Sequence, residues 1–204
     1  MDLIGTLLGI SFASGLNLYA TVLAMGVLNR LGILHLPPHL DVIASTPVMV
    51  VAAVLYGVEF VVDKVPFLDT FWDGLHTILR PADGAFLSFS MVGNVDPRWQ
   101  VLAALLGGSV ALTSHAAKAS TRAATHVSPE PFSKWILSLT EDGLAFGLVW
   151  LVSTHPLVGL VVVLLLAALA ITLVWKLSRL IRRVFAGVLS DPSTQGPNSY
   201  RTDH

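Results

Sequence analysis

Residues 3–28 carry no charged side chain, a run longer than the roughly 20 apolar residues that take a helix across a bilayer core. Backbone polar groups in hydrocarbon must find partners inside their own segment, so a run of this kind has to be helical. A secretory leader would also begin apolar. Here, however, Met1-Asp2 provides no basic flank and the run is too long for a leader's apolar core. We read it as a retained first span, ending at Asn29-Arg30.

The rest of the chain repeats the theme. Charged residues make up 12% and hydrophobic ones 54%, and the mean hydropathy is +0.73, whereas a soluble domain carries about 25% charged residues. The 204 residues leave room for about six spans in a single all-helical polytopic membrane domain, residues 1–189. A second span starts near Pro47, whose ring suits a first helical turn, and carries Glu59. The third, residues 68–92, is interrupted by Asp69, Asp73, His76, Arg80 and Asp83, and Pro81 is expected to kink it or leave it partly re-entrant. The fourth, residues 99–120, follows a Gly93-Asn94-Val95-Asp96-Pro97 turn and continues as a more polar stretch. The fifth opens at Ser128-Pro129-Glu130-Pro131 and holds Glu141-Asp142. The sixth, residues 157–175, closes with Lys176, Arg179, Arg182 and Arg183. Residues 190–204 are polar, contain Pro192, Gly196 and Pro197, and read as a disordered cytoplasmic tail. Basic residues concentrate in cytoplasmic loops, so the cluster after the sixth span lies inside, and six spans put both termini in the cytoplasm.

Residues 7–13 and 105–111 share the pattern Leu-Leu-Gly-x-Ser-x-Ala. Gly5, Gly9, Ala13, Asn17 and Thr21 recur every fourth residue, matched by Ala103, Gly107, Ala111, His115 and Ala119. Small residues at this spacing let helix backbones approach closely in lipid. Ser14-Gly15 before Asn17 marks a place where the first helix can unwind. Three spans per half, about residues 3–92 and 99–185, make the first and fourth spans run in opposite directions. That is the inverted repeat of many secondary transporters. The same stripes also serve packing alone, and a homodimer through Gly5 and Gly9 is another arrangement they allow.

Ionisable groups inside a membrane segment cost roughly 2.5 to 3.5 kcal/mol each, and those retained face the bundle interior or a wet cavity. Glu59, Glu141 and Asp142 are the first candidates for ion or proton ligands, with Asp63 on the helix face of Glu59. Asp69, Asp73, His76 and Arg80 form another polar stripe. Carboxylates with an imidazole suit a divalent cation, which makes Asp69, Asp73 and His76 a metal candidate, although an amphipathic helix lying on the membrane surface has the same pattern. Asn17, Tyr19 and His115 either hold the two halves together or line a substrate path. Lys118 and Arg122 either neutralise acids or bind an anionic substrate or lipid head group. With no cysteine, disulfides, thiolate metal sites and thiol nucleophiles are excluded. Glycine-rich phosphate loops, nucleophile elbows and zinc-protease motifs do not occur, so neither an enzyme nor a cofactor is expected. Nor does the charge pattern suggest nucleic acid.

The segments FASGLNLYATVL at residues 12–23, LYGVEFVVDKVPFLDTFWDGLHTILRPADGA at 55–85 and SHAAKASTRAATHVSPEPFSKWILSLTED at 114–142 together resemble the bacterial membrane-protein family called domain of unknown function 4126. The resemblance implies a polytopic inner-membrane protein and supplies no substrate. The stretch from Glu59 to Lys64 is similar to acidic motifs of cation/proton exchangers built from two inverted three-helix halves, but Val62 stands where that motif has glycine. The expected function is a small secondary transporter, of a divalent cation coupled to protons or of another small solute, among membrane lipids. The alternatives are a non-transporting scaffold and a handler of lipid or polyprenyl phosphate.

Overall fold

A computed structural model describes residues 2–65, 68–125 and 131–189. Seven α-helices follow one another: α1 (Asp2–Leu16), α2 (Leu18–Arg30), α3 (Thr46–Val62), α4 (Leu68–Val92), α5 (Pro97–Thr125), α6 (Pro131–Thr154) and α7 (Pro156–Leu189), with a 3-10 helix, Pro38–Ala44, between α2 and α3. Helix is the only regular structure among the described residues. The expected start of the fifth span at Ser128-Pro129-Glu130 and the expected disordered tail lie outside them.

The predicted first span is two helices. Asn17 adopts an extended conformation (φ −149°, ψ 106°) and its side chain accepts from Ala20 N, capping α2. Neighbouring contacts fix the directions. Along α1, Gly5 faces Pro156, Gly9 faces Val152 and Asn17 bonds Asp142, so α1 runs antiparallel to α6. Helix α3 is also antiparallel to α6, because Tyr56 meets Asp142 while Lys64 meets Ser138. Helix α2 in turn runs against α3, with Gly26 beside Met49 and Arg30 bonding the Ala44 carbonyl at 2.6 Å and Thr46 Oγ1 at 2.8 Å. Thus α2 returns the way α1 came, and the chain doubles back at Asn17. His39, in the 3-10 helix, accordingly donates to the Ser90 carbonyl at 2.7 Å, two residues along α4 from the Ser11 to Ser88 hydroxyl contact of 2.7 Å.

Helices α4 and α5 form an antiparallel hairpin. Gly93 takes the left-handed conformation (φ 69°) that ends α4, and Asp96 Oδ1 accepts from Arg98 N at 2.8 Å at the start of α5. This is the turn expected from the sequence. Ser11 meets Ser88 while the Gly15 carbonyl meets Arg80, so α4 opposes α1, and α5 therefore runs with α1. That corrects the expected inversion: the helices bearing the two small-residue stripes point the same way. The stripes also serve different neighbours, since Gly5 and Gly9 pack on α6 and α7 while Gly107 packs on Gly84 and Ser88 of α4. Gly5 and Gly9 are thus used within one chain.

Helix α7 starts beside Gly5 and continues along α5, where Leu112 and Ala116 share a groove with Ile171 and Trp175. One end of the bundle, called upper here, gathers Asp2, Arg30, the Gly93 turn and His155, and the lower end gathers Lys64, Thr125 and the start of α6. Because the chain doubles back at Asn17, Asp2 and Leu189 lie at opposite ends of the bundle, whereas six spans would put the first and last helix ends at the same end. Among the described residues three helices, at 97–124, 134–154 and 156–180, are long and apolar enough to cross a membrane, and a fourth is reached if the 3-10 helix and α3, bent by 58°, count as one span.

Helix α4 runs unbroken through Pro81. Its polar stripe faces inward: Asp69, Asp73, His76, Arg80 and Ser88 are buried, whereas Phe71 is 72% and Ile78 78% exposed. A helix lying on a membrane surface would show its charges to water. This one hides them and turns its apolar side chains outward.

Candidate functional site

Below the turn at Asn17 the bundle interior is ionic. Helix α1 stops inside the protein, so its last carbonyls lack intrahelical partners. Arg80 of α4 donates to the Gly15 carbonyl at 2.7 Å and also to that of Leu16, and Lys118 of α5 donates to Leu16 O at 3.0 Å. Cations at this position also suit the negative end of the helix dipole.

The same two cations hold Glu59 of α3. Arg80 pairs with it directly, and Lys118 Nζ lies 3.0 Å from Glu59 Oε1 and 3.5 Å from Asp63 and from Glu141. Arg122, one turn below Lys118, reaches Asp63 Oδ2 at 2.6 Å, Glu141 Oε2 at 2.7 Å and Asp73 at 3.8 Å. Two i,i+4 pairs therefore face each other across parallel helices, Glu59 and Asp63 on α3 against Lys118 and Arg122 on α5. A lone buried charge costs several kcal/mol, and mutual pairing with hydrogen bonding offsets this. Asp69 is held by Lys134 at 3.0 Å.

Among the buried side chains, Glu59, Asp63, Asp69, Asp73, Glu141 and Asp142 outnumber Arg80, Lys118 and Arg122. Asp142 shows where the surplus goes. It is bound by neutral donors, Asn17 Nδ2 at 2.9 Å and the Tyr56 hydroxyl at 3.2 Å. Asn17 thus does two things with one amide: its oxygen caps α2 and its nitrogen grips α6. The cluster meets the lower surface in a groove of about 220 Å³ between α4 and α5, lined by Asp73, Arg122, Thr70 and Thr77.

The structure brings together Glu59, Asp63, Glu141, Lys118 and Arg122 and joins Asn17 to Asp142. It does not join Asn17 to His115, whose Nε2 lies 3.1 Å from Thr77 Oγ1. Tyr19 instead approaches His76, at 3.5 Å. The expected metal set also separates: Asp69 pairs with Lys134, Asp73 faces Arg122, and His76 Nδ1 bonds the Trp72 carbonyl at 2.8 Å. Among the described residues no group of three ligands is placed to hold a metal ion. Arg80, expected in the polar stripe of α4, joins the site by pairing with Glu59, and Tyr56 joins it unpredicted. Arg80 was readable as a cation on the acid-bearing face of α4; Tyr56, one turn before Glu59, gave no signal of its own.

Hydrophobic outer faces, a polar interior and helices long enough to span define an all-helical membrane protein with an ion network built around a helix break. The chain belongs to the family described as Domain of unknown function (DUF4126), whose sequence profile matches residues 4–176. No curated protein and no solved structure matches it.

Proposed function

We propose that the protein is a small proton-coupled secondary transporter in which the helix break at Asn17 is the moving part and Asp142 the proton acceptor. The observation that carries this reading is the single amide of Asn17 shared between the cap of α2 and Asp142 of α6. Discontinuous helices whose ends meet charges inside the bundle are a recurrent transporter device. As a carboxylate, Asp142 accepts from Asn17 and Tyr56. A proton on Oδ1 displaces the Asn17 amide, because the Asn17 oxygen is already engaged by Ala20 N. Protonation then releases α6 from the α1–α2 turn, which couples proton binding to helix geometry. The cargo is a small ion or solute, entering by the groove beside Asp73 and Arg122.

In the bilayer, α1 and α2 form a re-entrant pair that enters and leaves at the upper end, and α3 to α7 cross. Lys64, Lys134, Lys176, Arg179, Arg182 and Arg183 then lie toward the lower side, against Arg30 and Arg98 above. Positive residues favour the inside, so the lower side faces the cytoplasm of a bacterial inner membrane. A lipid-phosphate handler would need its cations at a lateral opening, whereas Arg80, Lys118 and Arg122 are buried among acids. The scaffold reading gains from the density of ion pairs, and experiment separates it. Liposomes carrying the protein are given pH steps and cation jumps, with current and tracer flux recorded. The wild type should respond and Asp142→Asn, which keeps the residue's shape, should be folded but silent. Silence in both would favour the scaffold, and equal responses would show that Asp142 is not the proton acceptor.

A further inference from the structure

Asp83 is the one acid on α4 that the ion network leaves out. It sits about 14 Å from the end of α4 at Val92, at roughly 1.5 Å per residue, on the level where Gly84 packs against Gly107 and Ala111. Half-buried, it makes no hydrogen bond and no ion pair with any described residue. It lines a groove of about 270 Å³ between α2, α3 and α4, whose other walls include Leu18, Val22, Val51, Ala52 and Phe86. Val51 and Phe86 are exposed, so the groove opens on the outer face of the bundle. An unpaired carboxylate in an apolar recess is retained against a large desolvation cost.

We infer that this groove binds a small protonated amine with an apolar body, its ammonium on Asp83 and its hydrocarbon against α2 and α3. The occupant is set by complementarity: a neutral lipid chain would leave the carboxylate without a partner, an anion would be repelled, and a hydrated metal ion would gain nothing from the apolar walls. With the bilayer placed as proposed above, a lipid's own ammonium head group lies at the membrane surface, well above Asp83. This site is separate from the ion network and does not depend on the transport reading.

Binding of phenylbutylammonium and of the equally long neutral alcohol phenylbutanol to the purified protein in nanodiscs tests it. The amine should bind saturably and the alcohol should not. Asp83→Asn should weaken amine binding about tenfold or more, the loss expected of a charge-assisted hydrogen bond, and Asp83→Glu should retain most of it. Val51→Trp, which fills the groove from an exposed position, should also abolish it. Equal binding of alcohol and amine would show a plain apolar groove and overturn the inference, as would amine binding unchanged in Asp83→Asn or in Val51→Trp. Because the readout is binding, absence of transport leaves this result standing, and absence of binding leaves the proton-coupling test untouched.

Discussion

Asn17 decides more than any other single residue. As an N-cap its oxygen satisfies one of the orphan amides of α2, a contribution of about 1 kcal/mol, and its nitrogen satisfies a buried carboxylate, whose loss costs about 1–3 kcal/mol more. Asn17→Ala should therefore destabilise the protein by about 2–4 kcal/mol, measured by thermal or denaturant unfolding in detergent. Asn17→Ser, which keeps a capping oxygen but cannot reach as far as Asp142, should fall between. Equal stability of Asn17→Ala and wild type would mean that the amide does neither job. Part of this was visible in advance. An asparagine after Ser14-Gly15 in an otherwise apolar run signals a break, and Glu59, Asp63, Lys118 and Arg122 announce themselves by being charged where charge is expensive. Their mutual pairing was also latent in the sequence, since two i,i+4 pairs of opposite sign on parallel helices fit together rung by rung. The partner of Asn17 was not legible, because only the direction in which α2 leaves the turn decides whether His115 or Asp142 comes within reach.

For the helices, sequence periodicity gave lengths and faces but not directions. By spacing alone the small-residue stripes suggest two halves related by inversion. The pattern Leu-Leu-Gly-x-Ser-x-Ala says only that a backbone comes close, not which backbone. In the fold, Gly15 of α1 packs on Ser114 and the Ala111 carbonyl, and Gly107 of α5 packs on Ser88. A methyl group added at Gly15 or Gly107 has no room, so Gly15→Ala and Gly107→Ala should each cost about 1–3 kcal/mol by overpacking. Gly57 and Gly143 meet nothing on their outer sides, and alanine there should be neutral or stabilising by up to about 1 kcal/mol through helix propensity. Unfolding of the four variants checks the contrast, and similar costs at all four positions would show that the close helix approaches are not where they are placed here. Helix α4 teaches the converse lesson. Its charges looked like those of a surface helix, and only the exposed apolar face of Phe71, Ile78 and Phe86 settles that the polar side turns inward.

At the scale of the molecule, one reversal reorganises the topology expected from hydropathy. A hydropathy profile registers residues 3–28 as a single apolar run and is blind to a fold in its middle, because both arms remain apolar and uncharged. Counting that run as one crossing gives six spans with both ends on one side. In the topology proposed above, doubling back at Asn17 gives a re-entrant pair, five crossings, and ends on opposite sides. The same turn leaves the carbonyls of α1 inside the protein, which accounts for Arg80 and Lys118 standing beneath them, and the acids that accompany those cations follow from the need to neutralise them.

That reversal is the claim on which the rest depends, and the cysteine-free chain allows a direct test by single cysteines at Asp2, Asn94 and Arg183 in intact cells. A membrane-impermeant maleimide should label Asp2→Cys and Asn94→Cys from outside, and Arg183→Cys only after the membrane is permeabilised. Labelling of Asp2→Cys and Arg183→Cys from the same side would mean that residues 3–28 cross the membrane once, and would contradict the turn at Asn17.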